Sequence, residues 1–361
     1  MRVLIAPGHF SGTLTAGEAA RAVADGWRTR APGDELDLAP VADGGTGFVD
    51  VLHAALGGDL VALAVRDPSG GTVPAAVLLA GDTAYVESAQ ACAPGPGDPA
   101  RAEAATSYGV GELVAAAVAT GARRVVVGVG ASAATDGGAG LLAALGARAD
   151  RALDGGPAAL AGVGEVDLSA ARAAVAGVEL VVAHDVPIPL TGLFGTTKAA
   201  GVERGIAEER VPAVDGLLEG WAAAAGRRTS LEPGAGAGGG VGFGLLLLGA
   251  AGVPGVDLVL DALGLEDRAR AADLVVTGEG RLDFASRAGK APHGVAQVAT
   301  RAVRPCVVVA GEVLVGTREM RTMGVETAYS VVDVAGREAA LAEPYDALAR
   351  TAARVARAWS R

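Results

Sequence analysis

Two lysines stand out in this chain of 361 residues, because the other 28 of its 30 basic residues are arginines. Lys198 follows the run Phe194-Gly-Thr-Thr, and Lys290 follows a glycine-containing segment at residues 277–289. A lysine ammonium group is a compact, mobile point charge, whereas the arginine guanidinium group is a rigid planar fork. A position that must place a point charge against a phosphate or carboxylate oxygen would keep its lysine. Chance retention of two surface lysines is the alternative.

Five carboxylates occur where predicted strands end or glycine turns begin: Asp43, Asp136, Asp185, Glu279 and Asp283. Glycine lets the backbone approach a ligand closely, and the helix N-termini that follow several of these acids present free N–H groups to an anion. Carboxylates near phosphates commonly hold Mg²⁺ or orient a hydroxyl nucleophile. The pattern therefore indicates chemistry on phosphates. The alternative is that aspartate serves here as a helix N-cap and turn residue.

Several common motifs do not occur in the sequence. There is no G-x-x-x-x-G-K-[ST] phosphate loop and no G-x-S-x-G nucleophile elbow. G-x-G-x-x-G spacings occur within residues 234–244, but in so glycine-rich a stretch we interpret them as a tightly packed loop and helix entry. The four histidines lack the spacing of metal ligands, and Cys92 and Cys306 are too few and too distant for a disulfide framework, which fits a reducing cytoplasm.

Charge and hydropathy limit the partners that we expect. The net charge is −11 and the pI is about 4.9, with no basic patch, so we expect no nucleic-acid partner. A small anionic substrate would then be attracted by local groups and not by the overall field. The N-terminus has no signal-peptide core, and the apolar run at residues 245–248 is far too short to span a bilayer. We therefore expect a cytoplasmic protein without membrane contact.

The elements that must position these residues follow an α/β pattern. Residues 2–6 and 35–41 are predicted strands, each followed by a loop and a helix, at residues 15–31 and 48–56. Thr15 and Glu18 have the spacing of a capping box. Three short strands then predict an antiparallel meander, at residues 60–65, 73–79 and 83–88. Residues 94–99 are predicted as a loop.

The strand–helix pattern returns in the second half of the chain. Predicted strands lie at residues 123–129, 178–184, 273–277, 305–311 and 327–332, and predicted helices at residues 108–120, 134–145, 211–225, 256–263, 266–271, 292–301 and 337–359. A chain this long exceeds one ordinary core. We predict an α/β fold with a discontinuous Rossmann-like parallel-sheet domain, residues 1–60 and 255–361. A second α/β domain with a mixed sheet, residues 61–254, would be inserted in it, with a ligand cleft between the two.

At this point the motifs resemble those of the bacterial two-domain glycerate kinase family, in segments that run nearly end to end. The resemblance rests on the following residues in this order: Phe10 and Gly12; Ala42 to Gly45; Thr106 to Leu113; Ser132; Asp136 to Gly140; Asp185, Val186, Pro189 and Leu190; Phe194, Gly195 and Lys198; Pro233 to Ala237 and Gly239; Thr277 to Arg281, Asp283, Gly289, Lys290, Pro292 and Gly294 to Ala296.

The resemblance implies a kinase that moves the γ-phosphoryl group of ATP to a hydroxyl of glycerate or a related small hydroxy acid, with Mg²⁺. It implies catalytic roles for Lys290, Asp185 and Asp283, with Lys290 neutralising phosphate oxygens and either aspartate activating the hydroxyl or holding the metal ion. The composition leaves the oligomeric state open, and a homodimer is one expectation. Substrate or nucleotide contacts are expected from His9, Ser11, Asp43, Gly44, Gly45, Ser132, Asp136, Lys198, Glu279 and Arg281.

The sequence departs from the family pattern inside the motifs. The opening Pro-Asp-Ser-Phe-Lys-Gly of the family is here Pro-Gly-His-Phe-Ser-Gly, at residues 7–12. Further departures are Thr46 for Glu, Ile188 for Asn and Ala285 for Gln. A lost buried contact costs about 1–3 kcal/mol, so we expect His9 and Ser11 to set a different specificity. The alternatives are a family member that acts on another anionic metabolite without ATP, and a non-catalytic ligand-binding protein.

Overall fold

The computed structural model describes residues 1–10, 12–93 and 101–360, so Ser11 and the loop predicted at residues 94–99 lie outside the described residues. The chain forms two compact units. Unit 1 comprises Met1–Asp43, Asp50–Ala55 and Val256–Arg361, and unit 2 comprises Gly44–Val49 and Leu56–Gly255. In the described part of the chain, no helix is long and apolar enough to cross a membrane.

The strands of the described residues are β1 (Arg2–Ile5), β2 (Glu35–Leu38), β3 (Asp59–Arg66), β4 (Thr72–Ala80), β5 (Thr83–Glu87), β6 (Arg124–Val129), β7 (Arg148–Ala149), β8 (Val166–Asp167), β9 (Glu179–His184), β10 (Ala251–Pro254), β11 (Leu274–Thr277), β12 (Arg281–Leu282), β13 (Cys306–Ala310), β14 (Glu312–Val313) and β15 (Thr327–Ser330). The α-helices are α1 (Ala16–Arg28), α2 (Phe48–Leu56), α3 (Ser88–Cys92), α4 (Tyr108–Ala119), α5 (Ala139–Ala144), α6 (Gly156–Ala159), α7 (Ser169–Ala174), α8 (Thr196–Ala200), α9 (Val211–Ala225), α10 (Val241–Leu247), α11 (Gly255–Ala262), α12 (Leu265–Ala271), α13 (Ala291–Arg301), α14 (Thr317–Thr322), α15 (Val331–Ala335), α16 (Arg337–Ala342) and α17 (Pro344–Trp359).

Unit 1 contains a parallel sheet in the order β15-β13-β11-β1-β2. Its inner strands β11 and β13 are buried at every residue, as is typical of a parallel sheet covered on both faces. If these five strands are numbered 1 to 5 in the order in which the chain forms them, their order across the sheet is 2-1-3-4-5. The direction in which the chain adds strands therefore reverses between β1 and β11. Loops diverge at such a switch point and leave a crevice for a ligand beyond the strand ends. The predicted parallel α/β sheet is confirmed.

Helix α1 begins with the predicted capping box. The Thr15 hydroxyl accepts a hydrogen bond from the backbone N–H of Glu18, and the Glu18 carboxylate accepts one from the backbone N–H of Thr15. The buried face of α1 includes Trp27, and this face packs against α17. At Gly26 a Cβ atom would lie 1.9 Å from the carbonyl oxygen of Ala349. The two helices therefore approach so closely that only glycine fits at this position.

The end of the chain differs from the prediction. The single helix predicted at residues 337–359 is wrong, because α16 ends at Ala342 and a new helix, α17, begins at Pro344. Proline has no N–H to donate and its ring clashes with the preceding turn, but it fits the first turn of a helix. The strand predicted to reach residue 332 ends at Ser330, because the Ser330 hydroxyl accepts from the N–H of Asp333 and begins α15.

Unit 2 contains a mixed sheet in the order β10-β9-β6-β5-β4-β3. Strands β3, β4 and β5 form the predicted antiparallel meander, and β5, β6, β9 and β10 are parallel. The edge strand β10 was not predicted. The core of unit 2 is built largely from Val, Leu and Ala side chains. In it the rings of Trp221 and Phe243 pack edge to face, with their centroids 6.4 Å apart.

The glycine-rich segment before α10 packs against the start of α5. At Gly239 a Cβ atom would lie 1.8 Å from the carbonyl oxygen of Ala134, and at Gly240 it would lie 2.4 Å from the Cα atom of Gly137. Both glycines have positive φ angles, of 70° and 97°. These contacts agree with the interpretation of a tightly packed loop and helix entry.

Candidate active site

In unit 1 the chain segments that leave β1 and β11 run side by side. The Gly8 N–H donates to the Gly278 carbonyl oxygen at 2.8 Å, and the Thr277 hydroxyl donates to the Ala6 carbonyl oxygen at 2.7 Å. A Cβ atom at Gly278 would lie 2.1 Å from a backbone oxygen of β13, so the close approach requires glycine. The next residues along the chain, His9 and Glu279, are thereby placed at the switch-point edge of the sheet.

Glu279 lies at this edge, and its pKa is raised. Its side chain is buried, and burial raises its pKa to about 7. The Ser286 hydroxyl, which donates to Glu279 Oε1 at 2.5 Å, and the charge of Lys290 act against this rise, while Asp43 and Asp283 add to it. Three other predicted site residues are thus within electrostatic reach of Glu279: Asp43, Asp283 and Lys290.

Ser286, which sequence analysis missed, connects this group. Asp283 accepts a hydrogen bond from the N–H of Ala285 at 2.8 Å, and its own N–H donates to the Ser286 hydroxyl oxygen at 3.1 Å. Ser286 is fully buried and also contacts Glu279. Its spacing of three residues from Asp283 is that of a capping box and could have been recognised. The Asp283 carboxylate is therefore held by its own loop.

Lys290 stands at the N-cap of α13, directly after Gly289, which has a φ angle of 104°. Its Nζ atom forms no hydrogen bond or ion pair within residues 1–10, 12–93 and 101–360, although it interacts electrostatically with Glu279. The following helix is 11 residues long, and its first N–H groups point toward the side on which the lysine stands. A helix N-terminus with an adjacent ammonium group favours a bound anion.

Lys198 has different surroundings in unit 2. Its Nζ atom lies 2.8 Å from Oδ2 of Asp215, whose side chain is 5% exposed, while that of Lys198 is 38% exposed. Asp215 lies on the buried face of α9. An uncompensated buried carboxylate would be costly, so Lys198 stabilises the fold through this pair. Its predicted ligand contact stays a prediction.

Asp185 follows the last residue of β9, where glycines bring three backbone segments together. A Cβ atom at Gly130 would lie 2.5 Å from the Cα atom of Gly45 and 3.2 Å from Oδ2 of Asp185. A Cβ atom at Gly44 would lie 2.3 Å from the Ala183 carbonyl oxygen. Gly44 and Gly45 thus let their loop lie against the ends of β6 and β9, beside the Asp185 carboxylate.

Glu87, at the end of β5, was not predicted as a site residue. Its buried carboxylate accepts hydrogen bonds from the N–H groups of Gly47 at 3.0 Å and Val49 at 3.1 Å. These donors belong to the start of α2, where a carboxylate is favoured. Glu87 therefore anchors the loop that carries Gly44 and Gly45.

Three other predicted site residues make contacts within the fold. Asp136 is fully buried, and its oxygens accept hydrogen bonds from Ser107 Oγ and from the N–H groups of Ser107, Gly138 and Gly140 at 2.8–3.1 Å. Burial raises its pKa, and these hydrogen bonds oppose the rise. Its contacts match the N-cap alternative. The Ser132 hydroxyl accepts from the N–H of Ala134, and the Nε atom of Arg281 lies 3.6 Å from Oε2 of Glu312.

The carboxylates of the candidate site could bind a metal ion only as individual ligands. The residues that the structure describes contain no group of three or more His, Cys, Asp or Glu side chains that could hold a metal. Mg²⁺ commonly binds through one or two carboxylates together with waters and substrate phosphates. The candidates Asp185 and Asp283 fit that mode as individual ligands.

The fold is that of an α/β protein with a switch point in its parallel sheet, and known proteins resemble the chain over nearly its whole length. The glycerate kinase family matches residues 3–360. An uncharacterized protein of Mycobacterium tuberculosis is 41% identical over 99% of this chain and 91% of its own length, and the glycerate 2-kinase of Escherichia coli is 34% identical over 99% and 97%. The crystal structure of a putative glycerate kinase 2 from Salmonella typhimurium has a TM-score of 0.77 at 34% identity, covering 99% of this chain and 98% of that one. The chain belongs to the glycerate kinase family.

Proposed function

We propose that this protein transfers the γ-phosphoryl group of ATP to a hydroxyl group of glycerate or a closely related small hydroxy acid. The observation that carries the proposal is Lys290, an ammonium group without an ion pair in the described part of the chain, at the start of α13 beside the switch point. A phosphate is the anion that such a place in a doubly wound fold suits best.

Lys290 would neutralise charge on the phosphate oxygens. Phosphoryl transfer needs little covalent chemistry from the protein, so positioning and electrostatic stabilisation supply most of the catalysis. Glu279, Ser286 and Asp283 would support this role by holding the loop that ends at Lys290. Lysine suits the task better than arginine because its point charge can follow the oxygens as their charge changes.

Asp185 would bind the hydroxyl group that accepts the phosphoryl group. A carboxylate beside glycine backbone offers an oxygen acceptor for the hydroxyl proton with little steric hindrance. Mg²⁺, when bound, would neutralise the β- and γ-phosphate oxygens, and either Asp283 or Asp185 would contribute one carboxylate to it.

We propose that the reaction takes place in the cytoplasm, where cysteines stay reduced. Both cysteines are buried and unpaired, and burial raises the pKa of Cys306 to about 12.

The departure at Gly8 favours a second candidate, a family member with an altered acid substrate. A Cβ atom at this position would lie 3.0 Å from the Cβ atom of Ala291, so the packing is close around the glycine. An aspartate, which the family pattern has here, would need Ala291 to shift. The contact that this carboxylate would make is absent, and other groups must recognise the substrate.

Thermal-shift titration with MgATP, followed by a screen of hydroxy acids for ADP release, tests the proposal. We expect MgATP to raise the melting temperature and D-glycerate or a close analogue to release ADP. A shift with ADP release only for a different hydroxy acid would support the second candidate. No shift at millimolar MgATP would contradict the kinase proposal.

A further inference from the structure

Arg204, in the segment between α8 and α9, has a guanidinium group that is fixed at one nitrogen atom. Its Nη1 atom donates to the carbonyl oxygen of Thr196 at 3.1 Å and to the Thr196 hydroxyl at 3.0 Å. Thr196 is fully buried, and its own N–H donates to the Leu190 carbonyl oxygen at 3.0 Å. The orientation of the guanidinium fork is therefore set by a rigid part of unit 2.

The positive charge of Arg204 is poorly compensated by the protein. The residue as a whole is half-buried. Burial of its guanidinium group lowers the Arg204 pKa, and the negative charges of Asp185 and Glu203 act to raise it. Within the described residues Arg204 forms no ion pair, and its Nε and Nη2 atoms donate to no protein atom. Neither atom is sealed from solvent. Two parallel N–H donors are thus left for a ligand.

Three other arginines of unit 2 use this edge to contact the protein. Arg210 forms a bidentate pair with Glu103, with both N–O distances at 2.8 Å, and Arg123 pairs with Asp82. Arg172 uses both Nε and Nη2 to donate to one backbone carbonyl oxygen, that of Leu247. Arg204 alone among these four presents its Nε–Nη2 edge without a protein acceptor. Such an edge matches the two oxygens of a carboxylate.

We propose that Arg204 binds the carboxylate group of the hydroxy-acid substrate while the nearby Asp185 takes its hydroxyl group. In a 2-hydroxy acid the two groups lie on adjacent carbon atoms, so recognition needs a cation and an oxygen acceptor that face each other without forming an ion pair. Asp185 lies close enough for its charge to act on the Arg204 guanidinium group, and the described residues contain no ion pair between the two. The Nη1 atom of Arg204 is held by Thr196, so its Nε–Nη2 edge is left for the carboxylate group. The inference rests on the proposed function and adds the group that recognises the acid.

The experiment uses steady-state kinetics of the full chain with D-glycerate and MgATP. Losing a hydrogen-bonded charge pair should raise the KM for D-glycerate in Arg204→Gln about 10- to 100-fold, with the KM for MgATP changed less than about 3-fold. Arg172→Gln, which removes a guanidinium group that contacts only a backbone oxygen, is the matched control and should leave both constants unchanged. Thr196→Val, which removes one acceptor that orients Arg204, should raise the KM for D-glycerate by a smaller factor and covers the case that Arg204→Gln does not fold.

The outcomes separate the two proposals. A wild-type protein that phosphorylates no hydroxy acid would overturn the proposed function. An active wild type whose Arg204→Gln variant keeps its KM for D-glycerate would overturn only this inference. A selective rise in the KM for MgATP would assign Arg204 to a nucleotide phosphate and would also overturn it. Partial recovery of the Arg204→Ala variant by added guanidinium ion would support a direct contact with the substrate.

Discussion

At the scale of single residues, the two lysines have different surroundings, although the sequence treats them alike. Lys198 compensates the buried carboxylate of Asp215 within unit 2. Lys290 has no such partner in the described residues and stands at the N-cap of α13. The two scarce lysines therefore have different physical settings: Lys198 pairs with a buried carboxylate, and Lys290 stands where we propose that an anion binds.

Exchanging each lysine for arginine tests this distinction. We expect Lys290→Arg to lower kcat by about tenfold or more while the protein stays folded, because a planar fork cannot replace a point charge at transferring oxygens. Lys198→Arg should keep activity within about threefold, since arginine can also pair with Asp215. Steady-state kinetics with circular dichroism measure both. Near-normal turnover of Lys290→Arg would refute the point-charge argument, and an equal loss in Lys198→Arg would show that Lys198 also contacts a ligand.

Glu279 should make the stability of the protein depend on pH. Its pKa is about 7 in the folded chain against 4.5 for an ordinary glutamate, so the folded state binds the proton more tightly. The stabilisation is therefore complete below pH 4.5 and is lost as the pH rises through about 7. We expect Glu279→Gln, which cannot ionise, to be more stable than the wild type at pH 8 by about 1–3 kcal/mol.

Melting temperatures of the wild type and Glu279→Gln between pH 4.5 and 8.5 check this expectation. The difference between the two proteins should grow with pH and level off above pH 7. Lys290, Asp43 and Asp283 are the charged groups that affect the Glu279 pKa. A difference that does not change with pH would mean that the Glu279 carboxyl has an ordinary pKa.

At the scale of elements, the sequence predicted best where local chemistry decides the structure. The capping box of Thr15 and Glu18, the bounds of α2 and the meander β3–β5 all depend on neighbouring residues. Strand β10 was missed, since the run Ala-Gly-Val-Pro has little strand propensity and pairs only along the edge of the sheet. The break at Pro344 had a local signal that the amphipathic pattern obscured.

The site shows the same division. The carboxylates at strand ends and Lys290 could be proposed as site residues from the sequence, because glycine turns and helix starts mark them. Arg204 could not be proposed in this way, because nothing in the sequence shows which of 28 arginines has an Nε–Nη2 edge without an acceptor or an ion pair in the described residues. Glu87 was missed for a related reason, since the N–H groups that donate to its carboxylate lie 38 and 40 residues away along the chain.

The close contact between α1 and α17 predicts opposite effects for two glycines of one helix. Replacing glycine by alanine within a helix ordinarily stabilises it, by up to about 1 kcal/mol. Gly17→Ala should follow this rule, because its new Cβ atom would meet only the end of the Arg21 side chain, at 3.6 Å. Gly26→Ala should instead destabilise the protein by about 1–3 kcal/mol, because the Cβ atom would meet the backbone of Ala349.

Denaturant unfolding of the two variants measures this difference. Gly17→Ala is the matched control, since it makes the same chemical change in α1. Equal stabilities of the Gly17→Ala and Gly26→Ala proteins would contradict the close packing of α1 against α17.

At the scale of the whole molecule, a net charge of −11 opposes the proposed binding of ATP and an organic acid, which are both anions. Local cations would supply the attraction, because nearby charges act more strongly on a bound anion than distant, screened surface charges. Lys290 in unit 1 and Arg204 in unit 2 are both without an ion pair in the described residues. Several other basic residues instead pair with carboxylates at the surface, as Arg123 does with Asp82.

The central claim is that this member of the glycerate kinase family phosphorylates a small hydroxy acid at the expense of ATP. Phosphorus NMR of the purified protein with MgATP and D-glycerate tests it most directly, since the method observes the new phosphate ester itself. We expect a phosphoglycerate signal to grow as the γ-phosphate signal of ATP declines, and to grow at least about tenfold more slowly with Lys290→Arg. A folded wild-type protein that forms no phosphate ester from D-glycerate or from any of the related hydroxy acids would contradict the account.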